Sequence, residues 1–257
     1  MYYLKRLTLI INLKTLVVTA LAILSTFICR HYNFTADFPL TLITIAIVFP
    51  IVFSIGGAYK RREAALDEYG GIKAHGRSIY FAARDWLADS TPELQQEIRT
   101  LLGDLLKACR TLFAEPVAKM TVNEKEIYKL FSQISLFIKK MRNQGLATGE
   151  VSRCNQYLSK TVIAFESIKH IYQYRTPRTL RAYSYIFIIL LPILYGPYFA
   201  HVAKEVTRGL EYFMPILFSV ILVCLDNIQT HLENPFDQIG EDDVMINAEK
   251  FVNGLEL

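Results

Sequence analysis

The stretch FPLTLITIAIVFPIVFSI, residues 38–55, runs eighteen residues without a charged side chain. At a rise of about 1.5 Å per residue, a helix of that length crosses a bilayer core of about 30 Å. Three further apolar stretches flank it along the chain. Ala182 to Val202 carries only His201 as a chargeable side chain. Thr15 to Cys29 reaches spanning length with the half-apolar approach from Leu7, and Lys14 must then snorkel to the interface or face protein. Tyr212 to Leu225 is shorter and is bracketed by Glu211 and Asp226. The four stretches form two pairs, separated by a long polar region patterned for helix. The chain therefore reads as an all-α polytopic membrane protein with four transmembrane helices and a cytosolic helical bundle. Residues 1–59 hold the first pair, 60–180 the cytosolic region, 181–232 the second pair and 233–257 an acidic tail.

Composition agrees with membrane spans joined to a polar part. Hydrophobic residues make up 52% and charged residues 20%, with a net charge of +4, too polar for a chain lying wholly in lipid. Lys5 and Arg6 precede an apolar run, as in a signal peptide, but no small-x-small cleavage site follows and Arg30 and His31 close the run, so an uncleaved first span is expected. Cys29, Cys109, Cys154 and Cys224 show no metal-ligand or redox spacing and read as inert thiols.

Lys and Arg near the span ends set the orientation. Lys5 and Arg6 lie before the first span, Lys60, Arg61 and Arg62 after the second, and Arg175, Arg178 and Arg181 before the third, whereas the short connectors hold only Arg30, Lys204 and Arg208. Both termini and the middle region are thus expected in the cytoplasm, with the protein in a plasma or inner membrane.

In the middle region Thr91-Pro92-Glu93 marks a helix start, with proline where its missing N–H costs nothing. Thr121-Val122-Asn123-Glu124 fits a capping box at another. Ile127, Leu130, Phe131, Ile134, Phe137 and Ile138 repeat at helical spacing, as do Leu158, Val162, Phe165, Ile168 and Tyr172. Arg142 to Gly149 reads as a loop. The apolar stripes continue close to the spans, so these helices are expected to extend and pack the spans and not to form a separate domain.

Walker, GxGxxG, HExxH and GxSxG signatures are absent, so no enzyme and no cofactor is expected, and no nucleic-acid partner. Asp226, His231 and Glu233 cluster where the fourth span ends, which keeps open a metal or acid–base role for a small membrane enzyme.

Two places carry a family resemblance. Glu233-Asn234-Pro235-Phe236, followed by Gly240-Glu241-Asp242-Asp243, resembles the bestrophin signature of an Asn-Pro-Phe turn before an acidic stretch just after the last membrane helix. Ala58-Tyr59-Lys60-Arg61, with Tyr69-Gly70-Gly71 further on, is similar to the bestrophin pattern Ser-Tyr-x-Arg followed by Trp-Gly. The order of elements matches as well. The chain departs from typical members at positions 63, 64 and 66 and in the residues between Phe236 and Gly240, so the resemblance is to a divergent bestrophin-like protein.

The resemblance implies a homopentameric ion channel whose second span lines a hydrophobic neck on the five-fold axis, at positions matching Ile45, Phe49 and Phe53. Steps of four advance a helix about 40° beyond a full turn, so the three share a stripe. Such rings can gate by dewetting, and ring edges can face an anion such as chloride or bicarbonate. Lys60, Arg61 and Arg62 would mark the cytosolic mouth. A calcium clasp, implied by eukaryotic members, would draw on Asn234, Asp242 and Asp243. Partners are then membrane lipid, further copies of the chain and small inorganic ions. A cation-selective channel of the same type, or a non-conducting scaffold or sensor whose cytosolic helices bind a partner, are the alternatives.

Overall fold

The computed structural model describes residues 11–37, 40–174, 177–204, 210–236 and 243–256, and every regular element among them is a helix. In chain order these are α1 (Leu13–His31), α2 (Leu40–Phe81), a π-helical turn (Ala82–Trp86), α3 (Pro92–Ala114), a 3-10 turn (Val117–Lys119), α4 (Met120–Asn143), α5 (Thr148–Gln173), α6 (Arg178–Leu194), α7 (Gly196–Val202), α8 (Phe213–Glu233) and α9 (Ala248–Asn253). The chain divides into two compact units, Met1–Tyr59 with Thr176–Glu233 and Lys60–Arg175 with Asn234–Leu257.

The first unit holds the apolar helices. Leu13–His31, Ile43–Trp86 and Phe213–Glu233 are each long and apolar enough to span a membrane, and the bent pair Thr179–Leu194 and Gly196–Val202 qualifies together as a fourth. Val18, Ile47, Ile51, Ile188, Leu191, Leu222 and Val223 form the core that joins α1, α2, α6 and α8. At the start of α1, Asn12 Oδ1 accepts from the Thr15 N–H at 3.2 Å while the Thr15 hydroxyl accepts from the Asn12 N–H at 3.3 Å. Two orphan donors of the first turn are thereby satisfied. Lys14 faces protein and pairs with Asp226 of α8, beneath the Tyr185 ring at 4.5 Å. That pairing lets α8 continue through Asp226 to Glu233, past the Leu225 limit that the charge pattern implies.

The third span is not the uninterrupted helix expected from Ala182 to Val202. It bends by 41° between Leu194 and Gly196. Pro197 has no N–H for the carbonyl of Ile193, four residues back, so that acceptor loses its helical partner. The Ser25 hydroxyl of α1 donates to it instead, at 2.7 Å. α1 comes close enough to do this because residue 196 has no side chain: a Cβ there would stand 2.2 Å from Ser25 Oγ and 3.1 Å from the Ser25 backbone carbon. Gly196→Ala is therefore expected to cost about 1–3 kcal/mol by overpacking. A thermal melt of the detergent-solubilised protein checks it, and an unchanged midpoint would contradict the close approach.

In the second unit α3 begins where expected, with the Thr91 hydroxyl accepting from the Leu94 N–H and Pro92 at the first position. α4 begins earlier than the capping box at Thr121 suggests. Pro116, with its fixed φ, opens the 3-10 turn that runs directly into Met120, so Thr121 lies inside the helix and caps nothing. The α4–α5 loop is shorter than Arg142 to Gly149, since both helices extend into that range. Gly145 turns it with φ +98°, a conformation that favours glycine.

The polar region has a core of its own, contrary to the expectation that its helices only extend the spans. Leu102, Leu106, Phe113, Phe131, Ile134, Phe165 and Tyr172 are buried together. The segment after α8 completes that core: Phe236 stacks on Phe113 at 5.0 Å, and Val244, Ile246, Phe251 and Leu255 are buried with it. An acidic tail that looks solvated in sequence is thus anchored by its apolar residues. Between α4 and α5, Lys169 bonds Glu166 at 2.7 Å and the Tyr128 hydroxyl at 2.6 Å. Burial opposes the Lys169 charge, but these bonds outweigh it and its pKa is raised.

Candidate functional site

The N-terminal part of α2 carries the candidate site. One face of this helix is committed: Ile47, Ile51, Ser54 and Ala58 are buried, at spacings of four, three and four residues. Such spacing marks one side of an α-helix. The opposite side carries Ile45, Phe49 and Phe53, which are 56, 61 and 64% exposed within the single chain. All three sequence-assigned residues thus fall on one unpacked stripe. The Phe49 and Phe53 rings meet edge to face, centroids 4.6 Å apart.

Pro50 lies in this stripe's helix and has no N–H for the carbonyl of Ala46. Tyr183 of α6 donates its hydroxyl to the Ala46 carbonyl oxygen at 3.3 Å. Tyr183 is held from behind by Phe187, ring centroids 4.6 Å apart. Sequence reading missed this residue. The signal available was the proline itself, which announces an orphaned carbonyl four residues upstream but not its new donor.

The basic residues after the stripe differ among themselves. Lys60 is exposed, whereas Arg61 and Arg62 are half-buried and Arg62 pairs with Glu63. Part of the positive charge counted at the mouth is therefore already neutralised within the chain.

The cluster proposed at the end of the fourth span does not form a common centre. Asp226 is taken by Lys14, and Glu233 by Arg181 with Gln229 at 3.4 Å. Each acid has a basic partner on another helix, which fits helix-to-helix fastening. Among the described residues no three His, Cys, Asp or Glu side chains gather to hold a metal ion. Of the three calcium candidates, Asp242 lies outside the described residues. Asn234 and Asp243 are brought near each other by the bond from the Val244 N–H to the Pro235 carbonyl, 2.7 Å. Asn234 Oδ1 is buried with no hydrogen-bond partner, while Asp243 is buried and engaged.

Cys109 and Cys154 are buried, and burial pushes their thiols up to about 12 and about 11. Both are inert near neutral pH. Tyr69, which stands where the resembled pattern has Trp, is buried and accepts from the Asn247 N–H at 3.2 Å, fastening the C-terminal segment to α2. Burial raises its pKa, and the Asn247 bond only partly offsets this.

These features define a polytopic, all-α membrane protein whose second helix presents an unpartnered aromatic and aliphatic stripe. Its fold is that of the bestrophins. A bacterial bestrophin homologue from Klebsiella pneumoniae, solved by zinc phasing, matches with a TM-score of 0.73 at 15% identity over 95% of this chain and 94% of that one. A single-site variant of the same homologue matches with a TM-score of 0.73 at 16% identity over 95% and 96% of the two chains. No family model and no curated protein matches the chain in sequence. The chain is a divergent bestrophin-like protein by fold.

Proposed function

We propose that this protein is an ion channel of the bestrophin type, a homopentamer that passes anions such as chloride or bicarbonate through a neck of Ile45, Phe49 and Phe53. The observation that carries the reading is the exposed stripe on α2, opposite its packed face, in a chain that has the bestrophin fold over nearly its whole length. Rings of these side chains make a dry constriction that conducts when it wets. Phenyl edges carry partial positive charge, which favours an anion over a cation in the narrow segment. Lys60, exposed later in the same helix, adds positive potential toward the cytosolic side. Recording from purified protein in planar bilayers tests the proposal. A chloride-dependent reversal potential is expected, and a preparation without single-channel currents would end it.

In this reading both termini and the second unit are cytosolic. A cysteine placed at Asn33 should react with an impermeant maleimide in intact cells, and one at Gln144 should not. The buried thiols Cys109 and Cys154 contribute no background at neutral pH. Labelling at Gln144 without permeabilisation would reverse the orientation.

Calcium enters the proposal through Asn234 and Asp243, whose oxygens are of the hard type this ion takes, though calcium needs about six to eight of them. If it binds there, it raises the melting temperature by mass action and Asp243→Ala removes the rise. Equal melting of the parent with calcium and with chelator would dismiss the ion from the mechanism.

A further inference from the structure

We infer that Tyr183 is a positioning residue for the neck: its hydroxyl replaces the backbone donor missing at Pro50 and so sets the turn of α2 from which Ile45 and Phe49 project. The inference rests on the pore reading above. Proline in a helix interior removes one hydrogen bond and pushes its ring against the carbonyl four residues back, so the helix kinks or loosens there unless another donor holds that carbonyl. In α2 that carbonyl is Ala46's, and it lies between the first two neck positions in sequence. Tyr183 Oη reaches it at 3.3 Å from α6, while Ile47 and Ile51 on the packed face just beyond belong to the same buried apolar cluster as Ile188 and Leu191 of that helix. α6 thus shares an apolar cluster with α2 and adds one directed bond at the weakened turn.

Among the described residues the same device occurs again in this unit. The carbonyl of Ile193, orphaned by Pro197, receives the Ser25 hydroxyl at 2.7 Å. There the bond sits at a bend packed tightly against α1, where Gly196 leaves no slack. At Pro50 the other side of the helix is the exposed stripe, so a change of tilt moves Ile45 and Phe49 into or out of the space they would enclose. A hydrogen bond of ordinary strength, made in one arrangement of the turn and broken in the other, shifts the balance between them about two- to tenfold.

A double-mutant cycle isolates this role. Tyr183→Phe keeps the ring against Phe187 and removes only the donor. Pro50→Ala restores the N–H that Ala46's carbonyl would otherwise receive. The expected result is a two- to tenfold change in open probability in Tyr183→Phe that disappears when the same change is made in the Pro50→Ala background. Hydrogen exchange gives a readout independent of current: amides of 47–54 exchange faster in Tyr183→Phe and return to the slower rate in the double variant. Phe49→Ala, recorded alongside, separates the two claims. If Phe49→Ala alters the current while Tyr183→Phe leaves current and exchange at parental values, the positioning role is wrong and the neck stands. Equal effects of Tyr183→Phe with and without Pro50 would also overturn it, since the donor would then act elsewhere. If neither Phe49→Ala nor Tyr183→Phe alters a parental current, both claims fall together.

Discussion

With Phe49 and Phe53 both truncated to alanine, the protein in a planar bilayer should pass larger single-channel currents, or open more often, and discriminate less between ions, while its melting temperature barely moves. The narrowest part of a hydrophobic neck is dry because apolar walls a few ångströms apart cannot hold water, and removing two of its three rings widens it past that limit. Stability distinguishes this outcome from ordinary packing. A buried Phe→Ala change costs about 3–5 kcal/mol through lost burial and cavity formation. Phe49 and Phe53 are 61 and 64% exposed within the chain, so little intrachain packing is lost with them. A double variant that melts far below the parent yet shows the same current and reversal potential would overturn the pore assignment. A pentamer that falls apart on the same change would reassign the stripe to subunit contact.

The second large effect concerns the ion pair inside the membrane unit. Lys14→Met should destabilise the protein by about 3 kcal/mol, the lower end of what breaking a buried pair costs. The Asp226 side chain is 11% exposed and that of Lys14 25%, so the acid left behind has little water to turn to. The loss also removes a cation from the face of Tyr185. Lys14→Met combined with Asp226→Leu should recover most of the stability, because two apolar residues carry no desolvation penalty in an apolar setting. Thermal or denaturant melts in detergent read both variants. If the single change is neutral, the pair is a solvated surface contact and α1 is held to α8 by packing alone.

Both predictions concern residues that differ in how far sequence alone could reach them. The stripe of Ile45, Phe49 and Phe53 is legible as one face because helical periodicity is local: residues four apart share a face whatever the rest of the chain does, and only the family resemblance marks that face as a neck. Lys14 was visible as a problem, a charge at the edge of an apolar run that had to snorkel or find a partner. Its partner was not, since Asp226 lies far along the chain and looked equally suited to a cluster with His231 and Glu233. The structure separates that cluster by giving Asp226 to Lys14 and Glu233 to Arg181.

The same division runs through the membrane helices. Four apolar stretches, their pairing and the helical character of the rest follow from composition and spacing, because burying a backbone in lipid leaves helix as the economical way for a lone segment to satisfy its N–H and C=O groups. The Asn-Pro-Phe and Tyr-x-Arg neighbourhoods are legible for a different reason: they resemble short bestrophin motifs, and that resemblance implies the fold. Where a span bends, and what holds the carbonyls that its prolines release, are tertiary matters. Pro50 and Pro197 announce two orphaned acceptors, but the donors Tyr183 and Ser25 come from helices distant in sequence. The burial of the acidic tail is of this kind too. Its charges dominate the local reading, and only the aromatic surface of Phe113 and Tyr172, assembled by α3 and α5, decides that Phe236 is drawn into the core. Local periodicity determined the helices and their faces, whereas each hydroxyl, ion pair and ring that joins them required the folded chain, because such contacts depend on distance in space and leave no period in the sequence.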